Sequence, residues 1–111
     1  VKFRTRKSTD FLYIHLKDTG GLSVPELRRA ARKVGKLDVD YHYVVQDNGV
    51  VEQGREQYVV AGYEFENSEN SIYVLVDTGE NDRLSDAQKV ALQDLMDSIY
   101  ATYPNVKTIM E

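Results

Sequence analysis

A single α/β domain, with a mixed sheet of about five strands and helices on its faces, is the fold this sequence predicts. Two observations predict it. Apolar runs of strand length occur at residues 11–16 and 71–76, bounded by Thr19-Gly20-Gly21 and Asp77-Thr78-Gly79. Between and after them lie two segments with helical apolar spacing, each opened by a capping signal.

The first run, Phe11, Leu12, Tyr13, Ile14, His15 and Leu16, is almost continuously apolar, as expected of a central strand covered on both sides. Ser23-Val24-Pro25-Glu26 then reads as a capping box, with Pro25 in the first turn where its missing N–H costs nothing. The helix is expected to run to Gly35, with Leu27, Ala30, Ala31 and Val34 inward and Arg28, Arg29, Arg32, Lys33 and Lys36 outward. Residues 37–55 form a hairpin: an aromatic and β-branched strand at 41–45, an Asp47-Asn48-Gly49 turn, and a return strand from Val50 to Gly54-Arg55. Tyr58, Val59 and Val60 are a short strand or extended segment, and residues 64–70 an exposed polar loop. After the strand at 71–76, Ser85 caps a long helix with Ala91, Leu92, Leu95, Met96, Ile99 and Tyr103 inward. Pro104 ends it, and residues 106–110 form a last short strand.

Length and composition fit one domain over residues 1–111: 111 residues support a single core, and 41% are apolar. Cysteine is absent, which excludes disulfides. No apolar run approaches a membrane span and no signal-peptide pattern opens the chain, so a soluble cytoplasmic product without membrane partners is expected. The net charge of −4 argues against generic nucleic-acid binding, but it is unevenly placed. Residues 1–36 carry ten Lys/Arg against three acids, and the rest four against fifteen. Such asymmetry steers a partner of defined polarity; the plainer reading is that the halves attract each other in the fold.

The hairpin also resembles a family signature. Tyr41-His42-Tyr43, Asp47-Asn48-Gly49 and Gly54-Arg55 are similar to the corresponding strand, turn and Gly-Arg of zinc-dependent N-acetylmuramoyl-L-alanine amidases, whose fold is shared by phage amidase-type lysozymes and peptidoglycan recognition proteins. The resemblance extends to residues 1–10, to Tyr13-Ile14-His15, to Asn70-Ser71-Ile72 and to Ser85-Asp86-Ala87-Gln88. It is strongest to the lysozymes of short-tailed phages and covers nearly the whole chain, which is shortened at the C-terminus relative to the family.

The resemblance implies a zinc held by three ligands with an open position for water. His15 matches the first ligand, and Tyr41 matches the tyrosine that steadies the oxyanion. The second ligand falls near Ile109-Met110-Glu111, where no histidine stands, and the third has no counterpart. The groove departs as well: Ala30-Ala31 replaces a Trp-His, Tyr63 replaces a loop histidine, and Tyr73 replaces a glycine whose bare backbone the family keeps. Ligands and polar contacts are lost while bulk is added, which is the pattern of a retired active site.

For each of these residues a structural reading stands beside the functional one. His15 fits a half-buried histidine bonded to a neighbour, and His42 a structural one. Tyr41, Tyr43, Tyr63 and Tyr73 are core and rim residues or a binding surface. The cations Arg28, Arg29, Arg32 and Lys33 are a solvated face or a site for an acidic protein surface or phosphate. Asp38 and Asp40 serve turn chemistry at the hairpin entry. The first reading is thus an inactive, phage-derived amidase-like protein with no cofactor, which binds and regulates a protein partner. The resemblance suggests a phage RNA polymerase, which some of those lysozymes inhibit; a host protein is equally open. The alternative is a zinc amidase that cleaves peptidoglycan, with missing ligands supplied by absent sequence or a second subunit. A metal-free peptidoglycan binder is the third.

Overall fold

The computed structural model describes residues 3–81 and 83–111. Val1, Lys2 and Asp82 lie outside the described residues, and with them the start of the amino-terminal stretch compared above. Along the chain the elements are β1 (Phe11–Lys17), α1 (Val24–Lys33), β2 (Tyr43–Val45), β3 (Val51–Gln53), β4 (Ser71–Asp77), α2 (Asp86–Thr102) and β5 (Lys107–Met110). They make one five-stranded sheet in the order β3-β2-β4-β1-β5. Only β3 runs antiparallel, paired to β2 through the hairpin; the β2–β4, β4–β1 and β1–β5 pairs are parallel. The mixed α/β sheet is therefore as the sequence predicts.

Side-chain alternation along the strands divides the core in two. Leu12 and Ile14 of β1 join Ile72, Val74 and Val76 of β4 beneath Leu92 and Ile99 of α2. Tyr13 joins Tyr73 and Leu75 on the opposite face, with Val24 of α1, Tyr41 and Ala61. All seven residues of β4 are buried, which explains its unbroken apolar run.

Both capping boxes form. Glu26 accepts hydrogen bonds from the Ser23 N–H at 3.1 Å and the Ser23 hydroxyl at 2.9 Å. Ser85 Oγ accepts from the Gln88 N–H at 3.1 Å while Gln88 Oε1 accepts from the Ser85 N–H at 2.9 Å.

Three expectations need correction. Helix α1 ends at Lys33, and Val34 has already left the helical conformation, so its side chain is 73% exposed instead of inward. Ala30 is exposed too. Residues 64–70 are not a wholly exposed loop: Phe65 packs on the core, Ser68 is buried, and a short 3-10 turn spans Ser68–Asn70. Residues 58–60, expected as a short strand or extended segment, take the second form, with an isolated bridge from Val59 to Thr5. Asp38 and Asp40 do more than turn chemistry: Asp38 pairs with Arg28 at 2.7 Å and Asp40 with Lys36 at 2.6 Å. With Arg4 and Lys7 on Glu69, these pairs bring the basic and acidic parts of the chain together.

The hairpin is anchored by His42, which is fully buried. Its Nδ1 accepts the Tyr73 N–H at 2.9 Å, so Nε2 carries the proton and donates to the Val59 carbonyl at 2.6 Å. Burial pushes its pKa from 6.5 down to about 4, with Arg6 and Arg55 adding to the effect and the bond to Val59 opposing it. In the unfolded chain His42 takes up a proton below pH 6.5, whereas the native site resists until about pH 4. Stability therefore falls as pH drops through that window. Between pH 7.5 and 4.5 the loss expected from His42 is about 2–3 kcal/mol. Urea unfolding at both pH values measures it, and His42→Gln is expected to flatten the dependence.

Candidate functional site

The site lies on the α1 side of the sheet, at the carboxyl ends of the parallel strands, where α/β sheets place their clefts. His15 is near the end of β1, with its side chain 12% exposed. Its register fixes its neighbours. Tyr13 pairs with Tyr73 and Ile14 with Met110, so Glu111 emerges beside His15. The bonds Glu111 N–H to Ile14 O (2.8 Å) and Leu16 N–H to Glu111 O (2.9 Å) hold it there. Glu111 Oε1 lies 3.9 Å from His15 Nε2.

Tyr41 arrives from the hairpin entry, and its hydroxyl shares a 2.9 Å hydrogen bond with His15 Nδ1. Its position depends on Gly54. A Cβ there would stand 2.2 Å from the Tyr41 carbonyl oxygen, so only glycine lets the two segments meet. Arg55 then ties the same region together, donating to the carbonyls of Val39 at 2.6 Å and Val60 at 3.0 Å. The Gly-Arg pair thus has a structural purpose.

Aromatic rings surround the imidazole. Tyr41, Phe65 and Tyr73 each meet His15 edge-on, with ring centroids 5.5, 5.2 and 5.3 Å away. Tyr73 is sandwiched: it stacks on Tyr13 at 4.7 Å and on Phe65 at 4.5 Å, and its hydroxyl donates to the Glu66 carbonyl. The Tyr73 phenol fills space beside His15.

This environment keeps His15 and Tyr41 uncharged at neutral pH. Burial lowers the His15 pKa, opposed by Glu111 and aided by Lys17. Burial raises the Tyr41 pKa, with Asp40 and Glu111 adding to the shift. A neutral imidazole and a phenol can accept and donate hydrogen bonds, and His15 can offer one nitrogen to a metal. Glu111 is the nearest carboxylate. Among the described residues no third His, Cys, Asp or Glu completes a metal-holding group, so this span alone does not supply a catalytic zinc's usual three ligands.

Of the residues singled out in the sequence, the fold gathers His15, Tyr41 and Tyr73. The other tyrosines lie elsewhere. Tyr73 is 1% exposed and lies in the core, which removes it from any binding surface. Tyr43 packs on the opposite, α2 side. Tyr63 is 75% exposed, away from the other tyrosines. Arg28 stays beside Arg29, Arg32 and Lys33 on one face of α1, but its charge is paired with Asp38 at 2.7 Å, while the other three are exposed. Sequence reasoning missed Phe65 and the pairing of Glu111 with His15. The signal for Phe65 was a lone large aromatic in a polar run.

Removing the Tyr73 ring leaves a cavity flanked by Tyr13, Phe65 and His15. Tyr73→Ala is therefore expected to destabilise the chain by about 3–5 kcal/mol, measured by urea unfolding. A loss under about 1 kcal/mol would show that the ring is not packed as described.

No family model matches the chain. Among known proteins it is 31% identical to the endolysin of Escherichia phage T7 and 30% identical to that of Enterobacteria phage T3; each alignment covers 93% of this chain and 74% of the relative. Its fold superposes on the PGRP-Hd of Alvinella pompejana with a TM-score of 0.80 at 21% identity, covering 99% of this chain and 77% of the other. It superposes on the N-acetylmuramoyl-L-alanine amidase LysC of Clostridium intestinale URNW with a TM-score of 0.79 at 12% identity, covering 99% and 78%. By its sequence identity over nearly all its length and by the shape of its sheet, the chain belongs to the phage endolysin family, on the fold of N-acetylmuramoyl-L-alanine amidases and peptidoglycan recognition proteins.

Proposed function

We propose that this chain works by binding and not by hydrolysis: an endolysin-family protein with a silenced amidase site that regulates a protein partner in the infected cell. The observation that supports this reading is the packing of Tyr73 and Phe65 against His15. A zinc amidase needs an open metal position for water and a groove that admits a sugar-peptide. Here aromatic rings crowd the imidazole, and its Nδ1 is already bonded to Tyr41. Two partner classes follow from the resemblance, the phage's own RNA polymerase and a host protein. The names of the relatives support peptidoglycan as a further ligand.

One observation favours a second reading. The Glu111 carboxylate, 3.9 Å from His15 Nε2, puts two potential donors side by side. An amidase would then draw its remaining ligand from outside these residues or from a second subunit. His15 would hold the zinc, which supplies Lewis acidity, and the Tyr41 hydroxyl would hydrogen-bond the carbonyl oxygen of the scissile amide.

The two readings separate in one experiment with two arms. Purified chain with added zinc is incubated with peptidoglycan, and released stem peptides with L-alanine as a free N-terminus are sought by mass spectrometry. In parallel the chain is titrated into transcription reactions with phage or bacterial RNA polymerase. Binding without hydrolysis predicts no peptide release and reduced transcript with one polymerase, unchanged by His15→Ala. Peptide release that His15→Ala abolishes would overturn it.

A further inference from the structure

The His15 site leaves unexplained a group of exposed apolar side chains. Phe3 (45% exposed), Val34 (73%) and Tyr63 (75%) come from three separate segments, yet they line one cleft of about 740 Å³. Leu37 and Val60 continue its walls. Charges also reach the cleft, but they are satisfied: Asp40 lies 2.6 Å from Lys36 Nζ and 3.8 Å from Arg55 Nη2. The Arg55 guanidinium also stands 5.4 Å from the centre of the Phe3 ring. The cleft therefore favours an apolar insert over a charged one.

Its border points to the partner's charge. Arg32 bends back to donate to the Leu37 carbonyl at 3.5 Å, joining the outer face of α1 to the cleft wall. Arg29, Arg32 and Lys33 are exposed there, and none makes an ion pair among the described residues. A cationic patch on a chain of net charge −4 orients an acidic partner, because the rest of the molecule repels it. A nucleic acid would meet the cations too, but with a charge on every phosphate it is repelled by the net charge of −4 more strongly than a short acidic protein segment is.

We infer that the cleft between Phe3, Val34 and Tyr63 docks an acidic protein segment. It would insert one large aromatic or aliphatic side chain and set its flanking carboxylates on Arg29, Arg32 and Lys33. An apolar anchor in a pocket with charges at the rim is how compact interfaces concentrate their affinity. The inference rests on the binding-protein reading and places its partner away from His15.

Random twelve-residue peptides displayed on filamentous phage, selected on the immobilised full chain, provide the test. Enriched sequences should carry Trp, Phe or Leu with at least two Asp or Glu nearby. A labelled synthetic peptide of that consensus should bind about tenfold more weakly to Tyr63→Ala and to the Arg29→Glu/Arg32→Glu double variant. His15→Ala should leave it unchanged. The substituted side chains are exposed, so folding is preserved, and circular dichroism checks it. No enrichment, enrichment without the acidic-apolar pattern, or binding indifferent to these variants would overturn the inference. So would dimerisation in sedimentation that Tyr63→Ala abolishes, since it would give the cleft to a second copy. Peptidoglycan cleavage, by contrast, would sink the silenced-site reading while leaving the peptide result intact.

Discussion

His42 has no exposed surface, and its two ring nitrogens face different segments: Nδ1 takes the Tyr73 N–H, and Nε2 gives its proton to the Val59 carbonyl. The backbone of the same residue adds two more bonds, its N–H to Tyr73 O at 2.9 Å and its carbonyl from the Gly54 N–H at 2.8 Å. One residue thereby joins the hairpin, the central strand β4 and the segment at 59–61. Only the neutral imidazole can do so, because a protonated ring would turn a donor toward a donor. The placement of Tyr41 next to His15 follows from this anchoring, as does the position of Arg55 across Val39 and Val60.

From that anchoring the character of the site follows by register. Strand alternation puts His15 on the same side as Tyr13, and the parallel pairing brings Tyr73 alongside. Phe65, held on the core from the loop before β4, completes the aromatic surround. Aromatic pairs of this kind are each worth about 0.5–1.5 kcal/mol beyond their buried area. The ensemble thus reads as core, with a histidine at its edge.

Much of this was legible in the sequence, for physical reasons. The continuous apolar runs gave β1 and β4 because a strand covered on both sides needs no polar face. Capping boxes located both helix starts, since their side-chain geometry is local. The Asp47-Asn48-Gly49 turn was equally local, with Gly49 at φ 86°. Failures came where tertiary contacts override pattern. Val34 fits a helical stripe but falls one residue past the end of α1, and the charge of Arg28 is taken up by Asp38, which is within reach. Tyr73 and Tyr63 have the same chemistry and opposite fates, 1% and 75% exposed, which no local rule separates. The cleft beside α1 is assembled from three distant segments and has no sequence signature.

Whether this chain holds a metal decides between a silenced amidase and an incomplete one. The most direct measurement is zinc content by metal analysis after zinc loading and desalting, with His15→Ala in parallel. The crowded imidazole and short donor set predict far less than one zinc per chain, with no difference between the two proteins. About one tightly held zinc per chain, lost in His15→Ala, would contradict the silenced site.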